Sequence, residues 1–102
     1  MSKYNAVRTV VDGITFASKA EARRYGELKL AQAAGEIYGL ALQPKFPLVV
    51  NGVKVATYIA DFEYFTDGAR RVIEDVKGVR TPVYRLKKKL TEVLHGVTIT
   101  EV

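Results

Sequence analysis

Val53-Lys54-Val55-Ala56-Thr57-Tyr58-Ile59-Ala60-Asp61-Phe62-Glu63-Tyr64-Phe65-Thr66, then Asp67-Gly68, then Ala69-Arg70-Arg71-Val72-Ile73-Glu74-Asp75-Val76-Lys77 is the stretch that decides the fold. Both runs are rich in β-branched and aromatic residues, and the Asp-Gly between them tolerates positive φ, so the pattern predicts an antiparallel pair. Just upstream, Asn51-Gly52 is the strongest short hairpin signal available and ties Phe46-Pro47-Leu48-Val49-Val50 to the same run. The expectation is a three-strand antiparallel meander over 46–50, 53–66 and 69–77.

Working outward, Ile37 to Leu42 reads as a weak strand or connector, and Gln43-Pro44 punctuates it. Before that, Ser18 followed by Glu21 forms a capping box, and Ala, Glu, Arg, Leu and Lys run on to Gly35, predicting a helix of about four turns. Ala20, Arg24, Leu28 and Ala31, with Tyr25 and the Arg24 stem beside them, supply its expected inward stripe, while Arg23, Glu27 and Lys29 stay wet. Thr9-Val10-Val11 and Ile14-Thr15-Phe16 flank Asp12-Gly13, which predicts an opening hairpin. On the other side, Thr81-Pro82 is an N-cap with proline at the first helical position. Val83, Leu86, Leu90, Val93 and Leu94 then repeat at helical spacing until Gly96, and Val97 to Thr100 is a final strand. N-terminal hairpin, helix, meander, helix, strand is an α/β (α+β) chain.

The chain has 102 residues, 48% of them apolar, which is enough for one core and one domain over 1–102. With no cysteine, disulfide scaffolds, thiolate metal sites and thiol nucleophiles are excluded. No run approaches the roughly 18 apolar residues that span a bilayer, and Met1-Ser2-Lys3 opens mixed polar sequence rather than a signal peptide, so no membrane association and a cytoplasmic location are expected. The formal charge is +5, and 69–95 accounts for all of it through Arg70, Arg71, Lys77, Arg80, Arg85, Lys87, Lys88 and Lys89 against three acids. Such asymmetry marks either a phosphate-binding face or a solvated helix surface, with nucleic acid the leading partner.

Strand alternation collects the residues that carry chemistry. Ile59, Asp61 and Glu63 are expected on one face of the long strand, and Ile73, Asp75 and Lys77 on one face of its partner. A carboxylate inside an apolar run is costly unless paired, hydrogen-bonded or metal-bound, so Asp61 and Asp75 are either a solvated edge with lysine partners or a site. Asp75-x-Lys77 puts an acid and an ammonium on one side of a strand, roughly 6–7 Å apart at the backbone. A hard divalent ion on Asp75, with the Val76 carbonyl as a further oxygen ligand, would stand beside that ammonium, which suits phosphodiester hydrolysis. Alternation turns Glu74 the other way, towards solvent or a dimer contact. Tyr84 is either a core edge or a phosphate donor, and His95, at a helix C-terminus, is a dipole partner.

Ala60-Asp61-Phe62, Glu74-Asp75-Val76-Lys77-Gly78 and the element order together resemble the PD-(D/E)XK nuclease superfamily. More closely, the chain is similar to small phage-encoded endonucleases of that superfamily that resemble Holliday junction resolvases. Tyr4-Asn5, Val11 to Ala22, Leu42-Gln43-Pro44-Lys45-Phe46 and Tyr84-Arg85-Leu86-Lys87 carry this closer likeness. The resemblance implies a restriction-endonuclease-like core and Mg²⁺ (with Mn²⁺ as substitute) held by Asp61 and Asp75, with Lys77 as the catalytic lysine. Glu21 matches an acid that many of these nucleases carry on the first helix, where it completes the metal site directly or through water; the alternative is a capping box with no catalytic meaning, and the two roles can coexist. Ala60 stands where the superfamily has proline, which removes a rigid backbone position but no functional group. Gln43 contacts the site or only steadies its turn. Arg80, Arg85, Lys87, Lys88 and Lys89 are the DNA-binding candidates, with Leu86, Leu90 and Leu94 packed inward. The implied activity is metal-dependent cleavage of branched DNA by a homodimer in a phage-carrying bacterial cell. The alternatives are a nicking, flap or end-processing nuclease and a non-catalytic nucleic-acid-binding subunit.

Overall fold

The structure, a computed structural model, describes residues 7–102, so Lys3 and the Tyr4-Asn5 pair lie outside the described residues. The chain is α+β: β1 (Thr9–Val11), β2 (Ile14–Phe16), α1 (Lys19–Ala33), β3 (Tyr38–Leu42), β4 (Lys45–Val50), β5 (Val53–Ile59), β6 (Phe62–Thr66), β7 (Arg70–Asp75), α2 (Pro82–His95) and β8 (Ile99–Glu101). Asp12 and Gly13 both take positive φ in the opening hairpin, as expected of its turn. Both caps form: Ser18 accepts from the Glu21 amide and Thr81 from the Tyr84 amide, each at 3.1 Å.

The meander is corrected. The run 53–66 is two strands broken at Ala60-Asp61, and its halves belong to different sheets. Among the described residues β5 pairs only with β4, in a two-stranded ribbon, whereas β6 sits between β3 and β7 in a four-stranded sheet of order β3-β6-β7-β8. The weak strand before Gln43 is thus a full member of the main sheet, and β8 pairs parallel with β7. The break keeps its backbone satisfied: Ala60 N donates to Pro44 O, Gln43 N to Asp61 O, and Asp61 N to Glu74 O, at 3.0–3.1 Å. Gln43, at φ 52°, bends the partner run from β3 into β4 on the opposite side of the same crossing. One alternating run can therefore serve two sheets because its hydrogen bonds are handed over residue by residue at the bend.

Two apolar clusters flank the main sheet. On one side Ala22, Tyr25 and Leu28 of α1 pack with Phe16, Ile37, Phe62 and Tyr64. On the other, Phe46, Leu48 and Tyr58 of the ribbon pack with Ala60, Ile73 and Ile99, and Tyr84 and Leu90 of α2 close over them. α1 keeps its expected facing except at Ala20, with Arg23, Glu27 and Lys29 exposed, whereas α2 is rotated from it. In α1 the buried stripe runs through Ala22, Tyr25 and Leu28, leaving Ala20 exposed, because Tyr25 supplies the largest apolar surface and its hydroxyl reaches Asp12 at 2.9 Å. In α2 the one fully buried residue is Thr91, whose hydroxyl donates to Lys87 O, while Val83, Leu86, Val93 and Leu94 are exposed. Tyr84, anchored by its hydroxyl to Glu101 at 2.7 Å, fixes that rotation. Among the described residues no helix is long and apolar enough to cross a membrane.

Candidate active site

Asp75 ends β7 and is 1% exposed. The Tyr58 hydroxyl, from the ribbon, donates to its Oδ2. Lys77 lies beyond the strand end, yet its Nζ stands 3.1 Å from Asp75 Oδ1. That contact is an ion pair without hydrogen-bond alignment, so Oδ1 is the one buried side-chain oxygen or nitrogen among the described residues without a hydrogen-bond partner. Such an atom costs about 1–3 kcal/mol in a neutral group and more in a charged one, so it calls for a function.

Asp61 arrives at the same place through the strand break. Its Oδ2 accepts from the Val76 amide at 2.7 Å, which clamps the β5–β6 bend to the chain leaving β7. Burial, followed by the Asp75 side chain alongside, pushes the Asp61 carboxyl up to about 8, against the pull of the Val76 amide. Glu21, in the first turn of α1, is raised by its partial burial and by the charge of Asp75, while Lys77 and the Ala17 backbone pull it down. Glu21, Asp61 and Gln43 together line a cavity of about 120 Å³. Every residue proposed from sequence for catalysis is therefore brought to one place: Asp61, Asp75, Lys77, Val76 and Glu21, with Gln43 at the margin.

A wall of tyrosines supports this centre. Lys77 Nζ sits 4.6 Å from the Tyr84 ring centroid, a cation–π contact, and the Tyr58 and Tyr84 rings are 6.4 Å apart. Tyr84 in turn donates to Glu101, which also takes Arg80 at 3.0 Å; those two bonds hold the Glu101 carboxyl below its ordinary range. Sequence reading missed Tyr58 and Glu101. The only available signal was the hydroxyl of a tyrosine inside an apolar run, which needs a partner once buried.

Glu74 is a correction. It is neither solvated nor at a surface: it is 1% exposed, gripped by Arg24 through Nε at 2.8 Å and Nη2 at 2.6 Å, and receives the Tyr64 hydroxyl. Burial and Glu74 itself set the Tyr64 hydroxyl well above its usual range. The basic cluster also separates. Arg80 is paired with Glu101, Lys88 with Glu92 at 3.2 Å, and Lys87 reaches Thr57 O at 3.4 Å, while Arg85 and Lys89 stand in solvent. His95 is fixed by Pro47 O at 2.7 Å and by the edge of Phe46.

Residues 1–98 match the family described as a protein of unknown function (DUF1064). The chain belongs to the DUF1064 family. No curated protein and no solved structure matches it. Among the described residues no three His, Cys, Asp or Glu side chains are already gathered as a metal cluster. The donor set at its centre is nonetheless of one kind: two adjoining carboxylates, one with an oxygen that makes no hydrogen bond, and a third acid, Glu21, that shares a small cavity with Asp61. Hard oxygen donors of this type fit Mg²⁺ or Mn²⁺ and do not favour softer ions.

Proposed function

We propose that this DUF1064 chain is a metal-dependent DNA endonuclease with a restriction-endonuclease-like core of the PD-(D/E)XK kind, acting on branched DNA such as Holliday junctions. The observation that carries the reading is the buried Oδ1 of Asp75, which makes no hydrogen bond and has only the Lys77 ammonium beside it, with Asp61 behind it. Asp61, Asp75, the Val76 carbonyl and Glu21 would hold Mg²⁺, which when bound supplies charge to a phosphate and a more acidic water.

The chain's own residues do the rest. Lys77 offers donors to a non-bridging phosphate oxygen or to the attacking water, and its ammonium is steadied by the Tyr84 ring. Tyr58 fixes the orientation of Asp75, and the Val76 amide fixes that of Asp61, so neither carboxylate swings away from the other. Glu21 adds a carboxylate from α1, whose position over β7 is locked by the Arg24–Glu74 pair one turn further along the helix. The exposed Val83, Leu86 and Val93 on α2 favour a second copy of the chain, since a junction presents two equivalent strands and a two-fold dimer two sites.

The test is incubation of labelled four-way junction, flap and linear duplex with Mg²⁺ and with chelator. Cleavage of the junction that stops in chelator is expected. Binding to every DNA with no cleavage in either condition overturns the reading in favour of a non-catalytic binder, and preference for flap or duplex moves it to the other nuclease class.

A further inference from the structure

Two grooves meet at the candidate site. One, of about 530 Å³, runs between the start of α1 and the chain leaving β7, with Lys19, Glu21 and Arg23 on one wall and Val76 and Lys77 on the other. The second, of about 330 Å³, runs between the end of β5 and the start of α2, walled by Thr57, Thr81, Tyr84 and Lys87. Lys77 lines both and is the one residue they share. Each groove has the size of a small-ligand pocket, hence room for on the order of one nucleotide.

The cations are arranged to suit a chain of phosphates. Lys19 and Arg23 are exposed and have no ion-pair partner among the described residues. Lys87 spends one contact on Thr57 O at 3.4 Å, leaving two of its three ammonium donors for a ligand. The second groove has no acid on its walls, and the first has only Glu21, at the catalytic end. Positive charge thus continues on both sides of the acidic centre.

We propose that the two grooves form one through-track for a nucleic-acid strand, with Lys19 and Arg23 holding backbone phosphates on one side of the reacting phosphate and Lys87 holding them on the other. This inference rests on the nuclease reading. A strand that passes through the site needs no free end, so cutting is internal, and the contacts are to phosphates rather than base edges.

A closed circular plasmid bearing an extruded cruciform is incubated with Mg²⁺ beside its linearised form. Nicking or opening of the closed circle is expected. Digestion of the linear form from its ends with the circle left intact overturns the through-track and with it internal cutting, while metal-dependent phosphodiester hydrolysis at Asp75 and Lys77 stands. No cleavage of either form overturns both. Phosphate-ethylation interference is then mapped around the cut with the catalytically silent Asp75→Asn chain and with Arg23→Gln or Lys87→Gln added. Each addition is expected to weaken binding several-fold, lower the logarithmic salt slope by about 0.7–0.9, and relieve interference on one side of the cut only, the two variants on opposite sides. Relief on the same side by both, or on neither, overturns the assignment; melting curves confirm that each variant is folded.

Discussion

Glu74 and Asp75 are neighbours on β7, equally buried at 1% exposure, and they point to opposite sides of the same sheet. Glu74 is fully partnered: Arg24 holds both of its oxygens and Tyr64 adds a hydroxyl. Asp75 has one oxygen held by Tyr58 and the other left without a hydrogen bond beside Lys77. The same chemical group, at the same depth, is thus finished on one face and unfinished on the other. A closed network is what stability requires of a buried charge, and an open one persists when something outside the chain completes it.

The sharpest way to break this contrast is to substitute both residues. Asp75→Asn and Lys77→Ala are each expected to lower cleavage of the junction by three orders of magnitude or more, about 4 kcal/mol of barrier; Asp75→Asn should melt near wild type, whereas Lys77→Ala takes the cation from a buried carboxylate and should lose stability as well. Glu74→Gln should do the reverse of Asp75→Asn. Removing one partner of a buried pair costs about 3–5 kcal/mol, and Arg24, 29% exposed, recovers part of that through solvent, so about 2–3 kcal/mol of stability is expected to go while residual folded protein still cuts. Urea unfolding measures the second effect, and a thermally robust but inactive Glu74→Gln chain would erase the distinction between the two faces.

Sequence legibility follows the same division. Turns and caps were readable because their chemistry is local: Asp12-Gly13, Ser18 with Glu21, and Thr81-Pro82 need no tertiary knowledge. The bend at Ala60-Asp61 was not, because nothing in an alternating run marks where its hydrogen bonds pass from one sheet to another. Asp61, Asp75 and Lys77 were legible as polar departures from apolar strands. Glu74 was read as a surface residue because alternation gives the side of the sheet and not what lies there; the Arg24 that neutralises it is 50 residues away. The facing of α2 failed for a related reason. Its apolar repeat is regular, but rotation is set by Tyr84 reaching Glu101, a partner on another element, and the repeat is left on the outside.

If Asp75 awaits a cation, adding one should stabilise the fold, and the Glu74 face should be indifferent to it. Millimolar Mg²⁺ or Mn²⁺ is expected to raise the melting temperature, by about 2.7 kcal/mol of stability at a hundredfold excess over Kd, and Asp61→Ala should abolish the increment. A melting point unmoved by either ion would favour a structural role for these carboxylates, with Lys77 as the sole partner of Asp75 Oδ1. The metal-free protein offers a related check through pH. Burial, then Asp75, lifts Asp61 to about 8, from an unfolded value near 3.8. Between those values the folded chain keeps a proton that the unfolded chain has lost, so stability from this group is full below about pH 4 and declines as pH rises towards 8. Asp61→Asn should flatten that decline, measured by melts in chelator across this range.

The smallest effect separates two roles that meet at the start of α1. Ser18 caps the helix by accepting from the Glu21 amide at 3.1 Å, while the Glu21 carboxyl feels the charges of Lys77 and Asp75. Backbone and side chain of one residue thus serve different ends, and they can be cut apart. Ser18→Ala removes the cap and is expected to cost about 1 kcal/mol of stability, with cleavage per folded molecule unchanged. Glu21→Gln keeps that backbone bond and a side-chain oxygen for the Ala17 backbone, so stability should hold while cleavage falls and the Mg²⁺ increment in melting temperature shrinks. Calorimetry paired with single-turnover cleavage reads both variants. If Glu21→Gln merely softened the fold to the same degree as Ser18→Ala, with cleavage per folded molecule intact, Glu21 would belong with Glu74 among the finished carboxylates and the open site would consist of Asp61, Asp75 and Lys77 alone.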